Sequence, residues 1–408
     1  MIWIWQHIES GAWLPLERVR AYSLIVLALG TLAFAGWIAV SDGVIDRNGK
    51  PIGTDFSNIY AAGRLTLEGK PADAYDPALQ HAAEQRVFGR DVPFYGWHYP
   101  PFFLGIAALV ATVPYGWGLG LWLVASFAAY LAAIRTILPR QETLLVAAAF
   151  PAVFINVGHG HNGFLTTALL GGALLLLHRR PWLAGVLIGL LAYKPQFGVL
   201  IPLALLADRR WITMVSAALT VAVLIVLSTG LFGAGIWQAF ADSTAFTRDV
   251  VLEQGGTGWQ KIQSIFAATR MWGAGLPVAY AAQFGLAAGI AISLMWLWRS
   301  HAAFELKATA LAVGSLLATP YVLDYDLMVL AIAIAFFARH GLDHGFRAGE
   351  ISLLTLTWIM PLLTRSIAGA IELPLGFLVM VAFYIIVLRR ALADNSTSRH
   401  LHTQIAAA

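Results

Sequence analysis

The stretches YSLIVLALGTLAFAGWIAV (22–40) and WITMVSAALTVAVLIVL (211–227) decide the fold, because each is a continuous apolar run. Both are close to the ~20 residues that a membrane-spanning helix needs. A transmembrane barrel would instead need segments of about ten residues in which apolar and polar side chains alternate. Neither run alternates. The sequence therefore predicts an all-α, polytopic membrane protein.

The composition agrees with this class. Hydrophobic residues make up 59% of the chain and charged residues 12%, against roughly 25% charged in soluble domains. The absence of cysteine excludes disulfides, thiolate metal ligands and a cysteine nucleophile. Basic loop residues account for the net charge of +4, so no nucleic-acid partner is expected. The N-terminal MIWIWQHIESGAWLPLERVR lacks the basic region of a signal peptide and is interpreted as an interfacial segment before a retained first span.

Seven pairs of basic residues lie in tails and short connections, which the positive-inside rule places in the cytoplasm. They are Arg18 and Arg20, Arg135 and Arg140, Arg179 and Arg180, Arg209 and Arg210, Arg299 and Lys307, Arg339 and Arg347, and Arg389 and Arg390. Both termini are then cytoplasmic, and twelve spans follow. They cover about 21–41, 117–138, 142–157, 163–178, 181–193, 195–207, 211–232, 276–298, 307–320, 323–339, 350–365 and 371–388. A further apolar stretch, 102–113, would reach only ~18 Å against a ~30 Å hydrocarbon layer, and we interpret it as a re-entrant helix.

The whole chain, 1–408, is expected to form one integral membrane domain. Its two long extracytoplasmic loops would be 42–101 and 233–275, and 391–408 would be a cytoplasmic tail. The first loop predicts two short amphipathic helices along the membrane surface, over Ser57–Gly69 and Pro77–Phe88.

Polar residues that interrupt the apolar runs fall on one side of the predicted membrane. Ionisable groups at span ends facing one compartment indicate a reaction chamber there. The residues are Asp55, His98, Tyr99, His159, His161, Asn162, Lys194, Gln196, Asp324 and Asp326.

Asp55 and Lys194 are the main candidates for chemistry. Asp55 precedes a predicted helix, so it is either an N-cap or a carboxylate that takes a proton from an acceptor hydroxyl. The short runs around Lys194 place its ammonium below the outer surface, where it needs a wet cavity or an anionic partner. It could either extend to the lipid headgroups or bind phosphate, with the amide of Gln196 beside it.

The other chamber residues have structural alternatives. Tyr99 suits an interfacial aromatic belt, and His98 is either structural or a hydrogen-bond donor to phosphate. His159 and His161 suit a turn with Asn162, and they could bind a metal only if the fold added carboxylates. No metal site is therefore predicted. One of the acids in LDYDL (323–327) could be an N-cap, and otherwise Asp324 and Asp326 must meet cations, water or hydroxyl groups.

The second long loop ends in QGGTGWQKIQSIFAATR (254–270), which combines flexible glycines with aromatic and polar groups. That combination suits stacking on a sugar ring, although a plain cap over the bundle fits as well. The candidates are Trp259, Lys261, Gln263 and Arg270.

Several motifs together resemble glycosyltransferase family 87, the polyprenol-phosphate-dependent mannosyltransferase-like membrane proteins of the GT-C superfamily. They occur in the same order over nearly the whole chain. They are TDFSNIYAAGRLTLEGKPADAYDP (54–77), HYPPFF (98–103), GHGHNGFLTTALLGGALLL (158–176) and LAYKPQFGVLIPLALL (191–206) with DRRW (208–211). The LDYDL segment departs from the histidine-bearing version in relatives.

The resemblance implies a GT-C fold in a bacterial inner membrane, with an extracytoplasmic active site. It also implies inverting transfer of a hexose, mannose being expected, from a polyprenyl-phosphate donor to a lipid or glycan acceptor. Asp55 would be the general base, and Lys194 with His98 or Arg270 would bind the donor phosphate. No cofactor is expected, and a divalent cation stays an open alternative.

Three other functions remain open at this point. A lipid-linked glycan ligase or polymerase would share the one-sided polar set but use a pyrophosphate-linked donor. A transporter or flippase should carry polar residues at the midplane or on both faces, often with repeated halves. A structural scaffold gives the ionisable residues no clear role.

Overall fold

The computed structural model describes the backbone of residues 2–407 and the side chains of residues 6–394. The prediction of an all-helical protein is confirmed, since residues 2–407 form helices and only three isolated β-bridges. The α-helices are α1 (Ile2–Ser10), α2 (Leu16–Ala39), α3 (Thr54–Leu67), α4 (Pro77–Phe88), α5 (Phe103–Val110), α6 (Tyr115–Ile137), α7 (Thr143–Ala148), α8 (Pro151–His159), α9 (Gly163–Leu176), α10 (Pro181–Leu190), α11 (Pro195–Gly198), α12 (Leu200–Ala207), α13 (Trp211–Phe232), α14 (Gly235–Phe246), α15 (Ile265–Met271), α16 (Leu276–Arg299), α17 (Phe304–Leu317), α18 (Leu330–His344), α19 (Glu350–Ile371) and α20 (Leu375–Ala407).

Seven helical stretches in the described part of the chain are long and apolar enough to cross a membrane. They are α2, α6, α13, α16, α18 with the turn before it (Asp324–His344), α19 and the first part of α20 (Leu375–Asp394). Shorter apolar helices lie over Gly163–Leu176, Pro181–Tyr193 and Pro195–Ala207. The total of twelve crossings therefore stays a prediction. The last helix continues through the predicted tail to Ala407.

The core of the bundle is built around α17 and α18. In α17 almost all residues from Leu306 to Leu317 are buried. In the most apolar 18-residue segment of Asp324–His344, 72% of the residues are buried within the protein, whereas only 6% are buried in the corresponding segments of α2 and α13. These two helices thus lie at the periphery, where a membrane protein meets lipid.

Prolines begin several of the short helices, and one of them divides a predicted span. Pro151, Pro181 and Pro195 each occupy the first turn of a helix, where the missing N–H costs no intrahelical hydrogen bond. The predicted span 142–157 consequently consists of α7 and α8. Ends of these short helices carry polar candidates, for example His159 at the end of α8 and Lys194 before α11.

The first long loop contains both predicted helices, but one lies elsewhere than expected. Helix α4 covers Pro77–Phe88 as predicted. Asp76 caps it by accepting hydrogen bonds from the backbone N–H groups of Ala78 and Leu79 at 2.9 and 3.0 Å. Helix α3 begins at Thr54, three residues before the prediction. Because Phe56 and Ile59 are fully buried, α3 is an internal helix and not an exposed surface helix.

Helix α3 is held against α5 by a close backbone approach at Gly63. A Cβ atom at this position would lie 2.0 Å from the carbonyl oxygen of Ala107. Helix α5 has eight residues and reaches only about 12 Å at 1.5 Å per residue. The re-entrant course predicted for 102–113 is therefore compatible with its length, and it stays a prediction.

Gly63→Ala should destabilise the protein, because the added methyl group meets backbone and not a flexible side chain. We expect a loss of about 1–3 kcal/mol, the usual cost of overpacking. The melting temperature of the purified protein in detergent would measure it. Gly105→Ala in α5 is the matched control, because no atom lies within 4 Å of its added Cβ. Equal melting temperatures for the two variants would contradict the tight α3–α5 contact.

Candidate functional site

Three segments of the chain meet at one end of the bundle. They are the first turn of α3, the turn between α8 and α9, and the 3-10 turn Asp324–Val329 before α18. Gly160 ends α8 at a φ of 61°, and a Cβ atom there would lie 2.7 Å from the Cβ of Phe56. Glycine thus permits both the left-handed turn and its close approach to α3.

Asp55 lies in the first turn of α3 and does not cap the helix. The N-cap is Gly53, with a φ of 76° and no side-chain capping bond, so the N-cap interpretation of Asp55 is wrong. One carboxylate oxygen, Oδ1, lies 3.9 Å from Nδ1 of His159. The other, Oδ2, is buried and has no hydrogen-bond partner among the described residues.

Burial raises the pKa of Asp55 to about 7, although the Lys194 ammonium and the Tyr325 hydroxyl act in the opposite direction. Burial also lowers the pKa of His159 to about 4. The imidazole is therefore neutral at pH 7, and its Nδ1 lies 2.7 Å from Oγ1 of Thr54. A carboxyl group that titrates near neutral pH, with one oxygen unengaged, has the properties of a general base.

Lys194 forms a buried ion pair with Asp326. Its Nζ lies 2.6 Å from Oδ1, and the two side chains are 5% and 2% exposed. The second oxygen of Asp326 accepts the N–H of Leu323 at 3.0 Å. Of the two surroundings that the sequence left open for Lys194, a wet cavity or an anionic partner, the structure has the anionic partner, and a lysine extending to the headgroups does not fit its burial.

Tyr325 lies between the charged groups, and the sequence analysis did not select it. Its ring stacks on His161 with centroids 3.6 Å apart, and His159 approaches it edge-on at 5.5 Å. Nζ of Lys194 lies 5.6 Å from the same ring, within cation–π range. Tyr325 is uncharged, so a search for charged residues did not select it. Its position between Asp324 and Asp326 at the start of a predicted span could have indicated it.

Aromatic and amide groups form a wall behind this cluster. The side chain of Asn162 donates to the hydroxyl of Tyr99 at 2.8 Å. Phe103 packs between Tyr99 and Tyr193, with centroid distances of 4.7 and 4.9 Å. Oδ1 of Asn162 is buried and lacks a partner within the described part of the chain. Asn162 and Tyr99 are therefore hydrogen-bonded to each other in the wall of the site.

The second long loop is attached to the segment before Asp324 by backbone pairing. The N–H of Gln263 donates to the carbonyl of Val322 at 2.7 Å, and Ile262 forms an isolated bridge with Leu323. Such main-chain bonds have no side-chain signature, so sequence reasoning could not find them.

This attachment brings a second cation to the site. The charge of Lys261 acts on both Asp55 and Asp324. Arg365, in α19, lies 3.7 Å from Asp324 and is 47% exposed. The sequence analysis did not select Arg365, because nothing in the surrounding apolar helix indicates that it lies near Asp324. The open side of the site is therefore cationic.

Several predicted residues make their described contacts outside this cluster. Nδ1 of His98 lies 2.7 Å from the Thr247 hydroxyl, and burial lowers the pKa of His98 to about 4. Arg270 donates to the backbone carbonyl of Ala274 at 2.7 Å and lies over the ring of Trp259 at 5.3 Å.

The two predicted glutamines lie in different elements. The side chain of Gln263 accepts the hydroxyl of Thr364 at 2.6 Å. Gln196 is half-buried in the short helix α11. Within residues 6–394, no group of three or more His, Asp or Glu side chains is arranged to hold a metal ion.

The fold and this cluster define a helical membrane protein with a polar, partly cationic chamber at one end of its bundle. Residues 97–320 match the model of glycosyltransferase family 87, and the chain belongs to that family. The family resemblance predicted from the motifs is thereby confirmed. The matched range includes Lys194, whereas Asp55, Asp324 and Asp326 lie outside it. No curated protein and no solved structure matches the chain.

Lys194→Met should strongly destabilise the protein, because it leaves the Asp326 carboxylate buried without its counter-charge. Breaking a buried pair in this way costs about 3–5 kcal/mol. The double variant Lys194→Met/Asp326→Leu should recover most of this loss, since it removes both charges. Thermal unfolding in detergent would measure the three proteins.

Arg90→Met provides the matched control, because Arg90 pairs with Asp42 at the surface, where the side chains are 49% and 78% exposed. An exposed pair contributes about 0–1 kcal/mol. If Lys194→Met were as harmless as Arg90→Met, or the double variant no better than the single, the buried pair would not have the assigned weight.

Proposed function

We propose that this family 87 glycosyltransferase transfers a hexose, mannose being the expected sugar, from a polyprenyl-phosphate donor to a hydroxyl group of a lipid or glycan acceptor. The observation that supports the proposal most is the environment of Asp55. Its Oδ2 is buried without a partner among the described residues, and a neutral histidine, not a cation, lies beside its Oδ1. Such a carboxylate is available to take a proton.

The proposed reaction is a single displacement. Asp55 accepts the proton of the acceptor hydroxyl while that oxygen forms a bond to the anomeric carbon. The bond from the anomeric carbon to the phosphate oxygen breaks on the opposite face, so the configuration inverts. Polyprenyl phosphate leaves with the electron pair, and the proton stays on Asp55 until it passes to water.

The charge of the leaving phosphate needs cations on the open side of the site. Lys194 already uses its charge on Asp326, so we assign it a contributing role. Lys261 is half-buried and Arg365 is exposed, and the charge of Lys261 acts on Asp55 and Asp324 while that of Arg365 acts on Asp324. Preplaced cations of this kind stabilise developing charge without reorganisation during the reaction. His98 and Arg270 are not used in this scheme, because their contacts lie in the second loop.

The proposed function uses the membrane topology that the sequence predicts. Twelve crossings, two cytoplasmic termini and a re-entrant 102–113 segment would place the chamber on the extracytoplasmic side of a bacterial inner membrane. A lipid-phosphate donor has its phosphate at the headgroup plane and its tail in the bilayer. Support comes from the seven long apolar helices and from the gathering of the polar residues at one end.

Asp55→Asn should abolish most turnover while the protein stays folded, because an amide cannot accept the proton. Loss of a general base typically lowers the rate by 10² to 10⁴-fold. The measurement is sugar transfer by purified enzyme from a polyprenyl-phosphate sugar, with the melting temperature recorded in parallel.

Asp91→Asn is the control for this variant, because Asp91 is an exposed carboxylate of the same loop. It should transfer sugar at the wild-type rate. Wild-type turnover by Asp55→Asn would remove Asp55 from the mechanism. If wild-type enzyme used only diphosphate-linked donors, the ligase alternative would replace the proposed donor class.

The pH profile provides a separate prediction. Because the pKa of Asp55 is about 7, the carboxyl group is protonated and inactive below this pH and becomes a base above it. We therefore expect kcat/KM to rise with pH through a midpoint near 7. The residual activity of Asp55→Asn should lack this rise. A wild-type profile that stays flat between pH 5 and pH 8 would contradict the assignment.

A further inference from the structure

A large apolar cavity lies at the end of the bundle opposite the site. It has a volume of about 770 Å³ and lies between α2, α6, α7, α18 and α19. Its walls include Val26, Ile134, Phe150 and Ala335, and it contains none of the groups assigned to the reaction. Its apolar lining offers water few hydrogen-bond partners, so in a membrane the cavity suits a hydrocarbon chain.

The depth of the cavity matches one leaflet of a bilayer. Along α2, its lining runs from Leu16 to Val26. These ten helical steps correspond to about 15 Å, half of the ~30 Å hydrocarbon layer. A phospholipid acyl chain fills this depth, whereas a polyprenyl chain is much longer than one leaflet is thick. The proposed topology is needed only to name this leaflet as the cytoplasmic one.

The mouth of the cavity carries an arginine whose guanidinium makes no hydrogen bond to another described side chain. The two charged lining residues are Arg140 and Glu142. Glu142 is occupied, because the guanidinium of Arg20 donates to its Oε1 twice. Arg140 is 56% exposed, and its acidic neighbours are Asp343, which lies 3.9 Å away and beyond hydrogen-bond distance, and Glu142. Because neither accepts a hydrogen bond from the Arg140 guanidinium within residues 6–394, its N–H groups are available to a headgroup phosphate.

We propose that this cavity binds one acyl chain of an anionic glycerophospholipid from the cytoplasmic leaflet, with the headgroup phosphate on Arg140. Basic pockets between helices at the cytoplasmic surface have this chemistry. The lipid would support α2, which is largely exposed and meets the bundle closely where Gly30 faces the ring of Phe154.

Lipid binding can be tested on the full-length protein by native mass spectrometry. The probes are phosphatidylglycerol and phosphatidylcholine with identical acyl chains. We expect wild-type protein to retain one phosphatidylglycerol at least tenfold more tightly than phosphatidylcholine. Ala335→Phe, which places a ring in the cavity, should weaken phosphatidylglycerol binding by at least tenfold. Ala128→Phe on the exposed side of α6 is its matched control and should bind as wild type does.

A second pair of variants tests the headgroup. Arg140→Gln should abolish the preference for phosphatidylglycerol, and Arg179→Gln, at an exposed arginine of another connection, should keep it. Unselective lipid binding by wild type, or binding that neither Ala335→Phe nor Arg140→Gln changes, would overturn the proposal. Displacement of phosphatidylglycerol by polyprenyl phosphate would also overturn it, because the cavity would then belong to the donor. The readout is binding, so the result is independent of the proposed reaction.

Discussion

The buried ion pair between Lys194 and Asp326 is the constraint on which the site depends. The two residues are 132 positions apart in sequence, and their charged atoms are 2.6 Å apart. Neither charge is stable alone at that depth, because taking an ion out of water costs several kcal/mol even after the protein relaxes. The pair therefore fixes the break between α10 and α11 against the turn before α18. Since Tyr325 precedes Asp326, the same bond determines where its ring lies between Lys194 and the histidines.

This pairing also sets the electrostatics around Asp55. A free ammonium nearby would favour the carboxylate and hold its pKa low. Here the charge of Lys194 is shared with Asp326, and burial raises the pKa of Asp55 to about 7 in spite of the lysine. A base is most effective when its pKa is near the working pH. The same sharing explains why a phosphate would need further cations, and why Lys261 and Arg365 at the mouth matter to the proposed function.

Sequence reasoning succeeded where local physical chemistry decides the outcome. The predicted bounds of α4 agree with the structure, where Asp76 caps the helix and Pro77 lies in its first turn, both of which act within a few residues. The shortness of the flanking apolar runs indicated that Lys194 lies at depth and needs either a wet cavity or an anionic partner. The burial of α3 was missed, because the close approach at Gly63 depends on a partner more than forty residues away. Arg365 was missed for the same reason, since nothing near it in sequence indicates a site.

The position of Asp55 is fixed by the surrounding helices before any substrate arrives. The hydroxyl of Tyr115, in α6, donates to the carbonyls of Ile52 and Gly53 at 2.7 and 3.1 Å, immediately before α3 begins. Phe56, the next residue after Asp55, is fully buried. In the proposed role of base, a carboxylate held in this way needs no ordering step, which lowers the entropy cost of reaching the reactive geometry. In the proposed reaction, the acceptor and the donor lipid are then the components that move into position.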